Sequence, residues 1–516
     1  MGTPLDVPGT PRPAAPSGAA AVTFTVTAFS FEGNTVLPDA QLQAIAAPYT
    51  GHPISLADAN DLAAKVTAAY RDAGYILVRA VVPAQQIDRG TLRIQILQGH
   101  IDNVRIQGDA GGARPYLEAY GARIADTKPL TAKVLERELL LASDMAGMNV
   151  RSVLTASQTA QGAADLTLVV EPRKVEAFVG VDNRGSRFLG PYEIQGGVFF
   201  NDVFGTGGRL GLNGAVTPGI GPDLAYGGVS FDQPLGTDGL RLFSGFSYAA
   251  TKPGSILRSF STEGSAINAN TALNYPFIRS RDFNLQGSLG LAYHDIRSSN
   301  ALVDPLFADH TRDLSATLFM NALDDWGGYS TASLGITRGL PVLGATRAGN
   351  PVKSRTGASG EFTRGNFELT HLQPLADRFS VMLGATGQTS FGDPLLASEQ
   401  FSLGADSYDR AFDPSEVTGD SALAGRIEPR FDVADHLALL SNVQLYGFFE
   451  GGQIWQALAV AGSPSSQTLG SAGAGFRFLV GDHVNADLEW AKPLDRNVLG
   501  SANQNSRFFF SVGVSL

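Results

Sequence analysis

The sequence contains no cysteine, which removes disulfide frameworks, thiol catalysis and cysteine-based metal sites together. It also has no run of eighteen apolar residues, so no transmembrane helix can be drawn. GxSxG, HExxH and GxxxxGK[ST] are all missing. The glycine-rich GTGGRLG at 205–211 has the wrong spacing for a nucleotide-binding turn and reads as a hairpin turn. There are 7 histidines, scattered, and His294, His310 and His483 read as exposed loop or turn positions. No catalytic residue, metal or cofactor is expected, and the chain is not read as an enzyme. Basic excess is lacking too: the net charge of -11 is spread along the chain, which argues against nucleic acid as a partner.

What remains is a chain of 516 residues, long enough for two or three units. With 43% hydrophobic residues it is too apolar to stay disordered. Residues 1–21, rich in proline, glycine and alanine, lack the basic start and apolar centre of a secretory signal and read as a flexible lead-in.

From Val22 the pattern becomes regular. FTVTAFSFEGN alternates like a strand, LPDAQLQAIAAPY and SLADANDLAAKVTAAYRDAG carry helical periodicity, and YILVRAVVP and TLRIQILQG read as strands. Ser55 with Asp58 is a capping signature, and Gly74 is a stop. A second β-α-α-β-β unit follows: IDNVRIQGD, ARPYLEAYGARI, TAKVLERELLLASDMAG, NVRSVLTASQT and ADLTLVVEP. The expected domains are therefore 22–99 and 100–173, two tandem copies of one design.

After Lys174 helical periodicity ends, and runs of about ten residues alternate to Leu516, the signature of a transmembrane β-barrel. Short turns such as LQPLADRFSV take turns with long polar segments such as RGLPVLGATRAGNPVKSRTGASGE. A barrel with short periplasmic turns and long surface loops explains this alternation, whereas a β-sandwich or propeller does not. Runs starting near Val175, Tyr192, Gly208, Asp223, Leu240, Glu263, Phe283, Thr311, Tyr329, Gly360, Phe379, Gly425, Val443, Leu469, His483 and Arg507 predict sixteen strands over 174–516. In the last run Phe508, Phe510, Val512, Val514 and Leu516 share one face, as a lipid-facing closing strand requires.

One carboxylate stands out. Glu450 lies among Phe448, Phe449 and Trp455, where it is costly to desolvate unless it meets water or a cation. Arg410, in a loop between Tyr408 and Phe412, is the predicted partner, so Glu450 is expected to face a wet lumen.

Tandem β-α-α-β-β units before a sixteen-strand barrel resemble the POTRA-plus-barrel superfamily. With two such units the chain is most similar to the TpsB transporters of two-partner secretion, of the haemolysin-activator ShlB/FhaC type. FEGNTVLPDAQL and PISLADANDLAAKVTAAYRDAGYILVRAVVPAQ resemble the first POTRA. VDNRGSRFLGPYEIQGGVFFNDVFGTGGRL resembles the barrel entry, with Asp182, Asn183, Gly185, Gly190, Asn201, Gly205 and Gly208 in place.

The resemblance implies that the sixth surface loop, about 399–425, folds into the barrel, and that its VRG(F/Y) arginine pairs with the acid of an FxDxG motif. The matching stretches are Asp409-Arg410-Ala411-Phe412 and Phe448-Phe449-Glu450-Gly451-Gly452. Asp409, Ala411 and Glu450 depart from the motifs, and Ala411 questions the backbone turn, since alanine resists positive φ. Arg410, Phe412, Glu450, Phe448 and Gly452 are thus expected to anchor and gate the loop. An N-terminal plug helix, also a family trait, conflicts with the prolines of residues 1–21.

The function implied is an outer-membrane pore of a Gram-negative bacterium. It would export an unfolded adhesin- or haemolysin-like partner exoprotein, with the POTRA domains in the periplasm receiving its secretion domain. Tyr75, Leu77, Arg79 and Val81 are a candidate edge for strand addition to that substrate. Outer-membrane lipid is the second partner, a monomeric pore is expected, and the reading leaves room for periplasmic chaperones. A barrel-assembly factor of the same superfamily and a passive porin-like channel are the alternatives.

Overall fold

The computed structural model describes residues 23–160, 162–219, 223–405, 408–437, 439–459, 462–481, 483–494 and 505–516. The lead-in expected over 1–21 lies outside the described residues. The chain divides after Arg173 into two units.

The first unit opens with β1 (Thr23–Thr25), β2 (Ala28–Glu32), α1 (Asp39–Ala46), β3 (Pro53–Ser55), α2 (Leu56–Asp72), β4 (Arg79–Val81) and β5 (Thr91–Leu97). β2 runs parallel to β5, β4 antiparallel to it, and β1 pairs with β3. The Ser55 hydroxyl accepts the Asp58 N–H while the Asp58 carboxylate accepts the Ser55 N–H at 2.8 Å, a reciprocal cap that starts α2. Gly74, at φ +90°, follows its end. Leu42, Leu62, Val66 and Tyr70 on the helices bury against Phe29, Leu92 and Ile94 of the sheet.

The same topology then repeats in β6 (Ile101–Gln107), α3 (Arg114–Asp126), α4 (Ala132–Ser143), β7 (Met148–Ala156) and β8 (Ala164–Pro172). β6 is parallel to β8 and β7 antiparallel to it, matching the pairing of β2, β4 and β5. Leu117, Tyr120, Ile124, Leu135 and Leu166 form its core.

One expectation needs correction here. The alternating run from Tyr75 is not one strand: only Arg79–Val81 pairs, as the edge β4. Tyr75 packs on the first core, its ring 6.2 Å from that of Tyr70, and Leu77 packs on the second core. The Ala132 N–H also donates to the Gly74 carbonyl at 2.8 Å, so this apolar stretch seats one copy of the repeat on the next. It looked like a strand because it is apolar. β4 is an edge of its sheet, and along it the Ala80 N–H donates to the Thr67 hydroxyl of α2 at 2.9 Å.

The second unit is a closed antiparallel barrel of sixteen strands. Its first half comprises β9 (Val175–Asp182), β10 (Glu193–Asn201), β11 (Arg209–Val216), β12 (Leu224–Pro234), β13 (Arg241–Thr251), β14 (Glu263–Arg279), β15 (Phe283–Ser299) and β16 (Phe307–Leu323). The second half comprises β17 (Tyr329–Gly339), β18 (Thr363–Ala376), β19 (Phe379–Thr389), β22 (Ser421–Leu437), β23 (Leu440–Trp455), β24 (Ser466–Val480), β25 (Val484–Pro493) and β26 (Arg507–Ser515). Between β19 and β22 a loop carries the short strands β20 (Phe401–Leu403) and β21 (Val417–Gly419). Tight turns such as 280–282 and 377–378 alternate with long loops such as 340–362 and 390–420.

Alternation along each strand sets the two faces. Val229, Phe246, Leu289, Leu318, Leu334 and Phe367 point outward and are exposed, forming the lipid-facing belt. Their sequence neighbours face the lumen. β26 closes the ring on β9 from Ser511 opposite Asp182 to Ser515 opposite Phe178, and Leu516 adds hydrogen bonds with Ala177. Phe508, at 75% exposure, and Phe510, Val512, Val514 and Leu516 lie on the outer phase, whereas Phe509 is buried inside. His294 and His310 sit within β15 and β16 rather than in loops; His310 Nδ1 is 2.7 Å from Asp295 and His294 Nδ1 is 2.7 Å from Asn268.

Candidate functional site

The loop between β19 and β22, residues 390–420, folds into the barrel; it begins earlier and ends sooner than the 399–425 expected. It is a folded wedge. β20 and β21 pair Phe401 with Gly419 and Leu403 with Val417, and Leu403, Tyr408, Ala411, Phe412 and Val417 are buried. These side chains form a core with Ala422, Ala424, Tyr446, Phe448, Ile454, Leu469, Ala491 and Phe509 of the barrel wall. The wall is made of small residues where the wedge comes closest. A Cβ on Gly452 would stand 2.8 Å from Leu403 Cδ1, so Gly452 is there for close approach.

Arg410 at the wedge tip is only 8% exposed, and Glu450 is fully buried. The Arg410 N–H donates to Glu450 Oε1 at 2.5 Å and Nε to Glu450 Oε2 at 3.2 Å. Nη1 donates to Glu489 at 2.9 Å and Nη2 to Glu428 at 2.9 Å. The guanidinium lies over the Phe448 ring, 3.9 Å from its centroid. One planar fork therefore joins β22, β23 and β25, a geometry no lysine can copy. Three carboxylates around one buried cation would repel unless balanced. Arg430 and Arg477 neutralise Glu428, Arg184 neutralises Glu489, and the Tyr446 hydroxyl bonds to Glu489 and Asp487 at 2.9 Å.

The turn works without a glycine at Ala411, because the positive φ (+66°) falls on Asp409, a residue type that tolerates it. Phe412 is buried in the wedge core. Asp413 adds a second hold, 2.7 Å from Arg507 of β26 and 3.4 Å from Arg187 of the first loop.

The neck of the wedge has a further junction that the sequence did not suggest. Asp420 is fully buried and takes both guanidinium nitrogens of Arg355, from loop 340–362, at 2.5 and 3.1 Å. It also accepts the Leu395 and Ala457 N–H groups at 2.9 and 2.8 Å. Three surface loops meet on this carboxylate. Glu428 and Glu489 went unnoticed as well, although each lies on the lumen phase of an alternating run, as Glu450 does. Among the described residues no group of three or more acidic or histidine side chains could hold a metal.

Comparison with known proteins places these features in a lineage. Residues 24–99 match the "POTRA domain, ShlB-type" and residues 162–478 match "Haemolysin secretion/activation protein ShlB/FhaC/HecB". The chain is 24% identical to the heme/hemopexin transporter protein HuxB of Haemophilus influenzae, over 87% of this chain and 80% of the relative. It is 25% identical to the outer membrane transporter CdiB of Escherichia coli, over 94% and 81%. The solved CdiB from Escherichia coli superimposes with a TM-score of 0.78 at 21% identity, covering 98% of this chain and 93% of that one. BamA from Haemophilus ducreyi lacking POTRA domains 1–3 gives 0.56 at 14% identity, covering 96% and 100%, a likeness of fold alone.

Proposed function

Since the chain belongs to the haemolysin secretion/activation family ShlB/FhaC/HecB, an outer-membrane transporter that translocates a partner exoprotein with its POTRA domains in the periplasm, we propose that the latched wedge is its gate. The carrying observation is the fork of Arg410 on Glu428, Glu450 and Glu489, which holds a folded loop inside the lumen. A static porin has no use for a folded plug made of its own loop and held by ion pairs that can be dismantled.

The cargo, on this reading, is an unfolded adhesin- or haemolysin-like chain. Its lane is the wall opposite the wedge anchors, where Ser247, Asn268, Asn270, Ser288, Thr317 and Ser333 present hydroxyls and amides on the lumen phase. Such groups resemble the peptide bond itself. The POTRA copies are proposed to receive the secretion domain before entry. With Tyr75 and Leu77 packed on the two cores, the sheet edges β4, β6 and β7 are better candidates than either.

The test is deletion of the chain, with released protein and outer-membrane barrel content profiled together. Loss of one large exoprotein with other barrels intact supports dedicated export, and a general fall in barrel proteins makes it an assembly factor instead.

A further inference from the structure

Loop 340–362 begins with Leu340-Pro341-Val342-Leu343-Gly344, a tight turn on the outside of the barrel wall. The Leu340 N–H donates to the Arg312 carbonyl at 2.7 Å, and Arg312 Nε donates back to the Leu343 carbonyl at 3.1 Å. Arg312 shares the outer phase of β16 with the exposed Leu314 and Leu318, and its guanidinium stacks on Tyr293, 3.5 Å from the ring centroid. Tyr293 in turn shares the outer phase of β15 with Leu289 and Leu291. The turn thus caps the membrane-facing belt at its loop end.

Its tip is oddly built for a watery loop. Leu343 is 78% exposed and holds φ +49°, a left-handed conformation that leucine resists, and Val342 beside it is 46% exposed. Under the tip lies a groove of about 330 Å³ whose lining includes Leu291, Tyr293, Leu340, Val342 and Leu343 together with Arg312 and Asp313. Just beyond it the chemistry turns polar. Arg312 and His310 both pair with Asp295, at 2.9 and 2.7 Å. Apolar below and ionic above is the profile of the boundary between acyl chains and headgroups.

We propose that Leu340–Leu343 is a membrane-docking finger that dips into the outer leaflet and closes over one lipid acyl chain in the groove against Leu291 and Tyr293. The occupant follows from continuity, for the groove opens directly off the belt of Leu289, Leu291, Leu314 and Leu318 that already faces lipid. The same loop reaches Asp420 through Arg355, so the finger ties the neck of the wedge to the surrounding bilayer. The proposal rests on the membrane location and not on export, so the two fail separately.

The absence of native cysteine makes the test clean. In the full chain reconstituted into phosphatidylcholine vesicles with brominated acyl chains, a nitrobenzoxadiazole probe is placed on Leu343→Cys. Leu334→Cys, exposed in mid-belt, and Ala348→Cys, exposed further along the loop, are the references. Folding of each variant is checked by heat-modifiable gel migration, and Val342→Cys substitutes should Leu343→Cys misfold. Quenching that matches Leu334→Cys is the expected result. Quenching no greater than at Ala348→Cys, or a probe that an aqueous quencher reaches equally at 343 and 348, overturns the finger.

Discussion

Arg410 is the residue on which most depends. Its replacement by alanine leaves Glu450 buried without a cation, and breaking such a pair costs about 3–5 kcal/mol. The surviving Arg430, Arg477 and Arg184 keep Glu428 and Glu489 neutralised, so the loss falls mainly on the Glu450 joint. Arg410→Lys keeps the charge but reaches one carboxylate in place of three and loses the fit over Phe448. Both variants are expected to raise single-channel conductance in planar bilayers and expose 390–420 to protease, alanine more than lysine. Unchanged conductance and protection in both would detach Arg410 from gating. Glu450→Gln keeps the shape and removes the charge, and should weaken the joint by about 1.5–3 kcal/mol, the worth of a charged hydrogen bond. Arg410 and Glu450 were legible from sequence because a carboxylate among aromatics needs a cation. Glu428 and Glu489 were not, because only closure of the barrel brings β22 and β25 to the same point in the lumen.

At the scale of elements, strands announced themselves by alternation and helices by their caps. The start of each barrel strand falls within a few residues of its sequence expectation, the largest offsets being at Phe307 and Ser421. The failure at Tyr75–Leu77 has a physical cause, since an apolar stretch between two packed copies shows no period that separates it from a strand. The wedge makes its own demand on β23. Gly452→Val is expected to push Leu403 aside and unseat β20 without unfolding the barrel, read as protease sensitivity of the loop with unchanged heat-modifiable migration. In the first POTRA copy, Leu62→Ala should cost about 2–5 kcal/mol, measured by thermal unfolding. The α2 cap adds a pH signature. The Ser55 N–H, and then its hydroxyl, hold the Asp58 carboxyl below its ordinary 3.8. A depressed carboxylate contributes stability above its unfolded pKa and loses it as pH falls through the folded one. The melting difference between the native chain and Ser55→Ala should therefore be flat at neutral pH and narrow below pH 3.8.

For the whole molecule, the proposed gate makes export and plugging compete for one lumen. Joining Leu403→Cys to Gly452→Cys with a short bis-methanethiosulfonate, which forms a disulfide to each thiol as sulfinate leaves, fixes the wedge to β23, and with no native cysteine nothing else can react. Secretion of the partner should stop on cross-linking and return on reductive release; continued secretion would mean the cargo passes a seated wedge.

The wedge also leaves from and returns to neighbouring strands, for β19 and β22 are hydrogen-bonded to each other over ten residues from Phe379 opposite Phe431 to Gln388 opposite Ala422. A stopper on so short a tether cannot drift off. Its effective local concentration is on the order of millimolar or above, so re-corking is a unimolecular event that follows passage of the cargo's last residue. The transporter is in this sense self-resetting. On the proposed gate, each passage ends by restoring the permeability barrier with a part of the same chain.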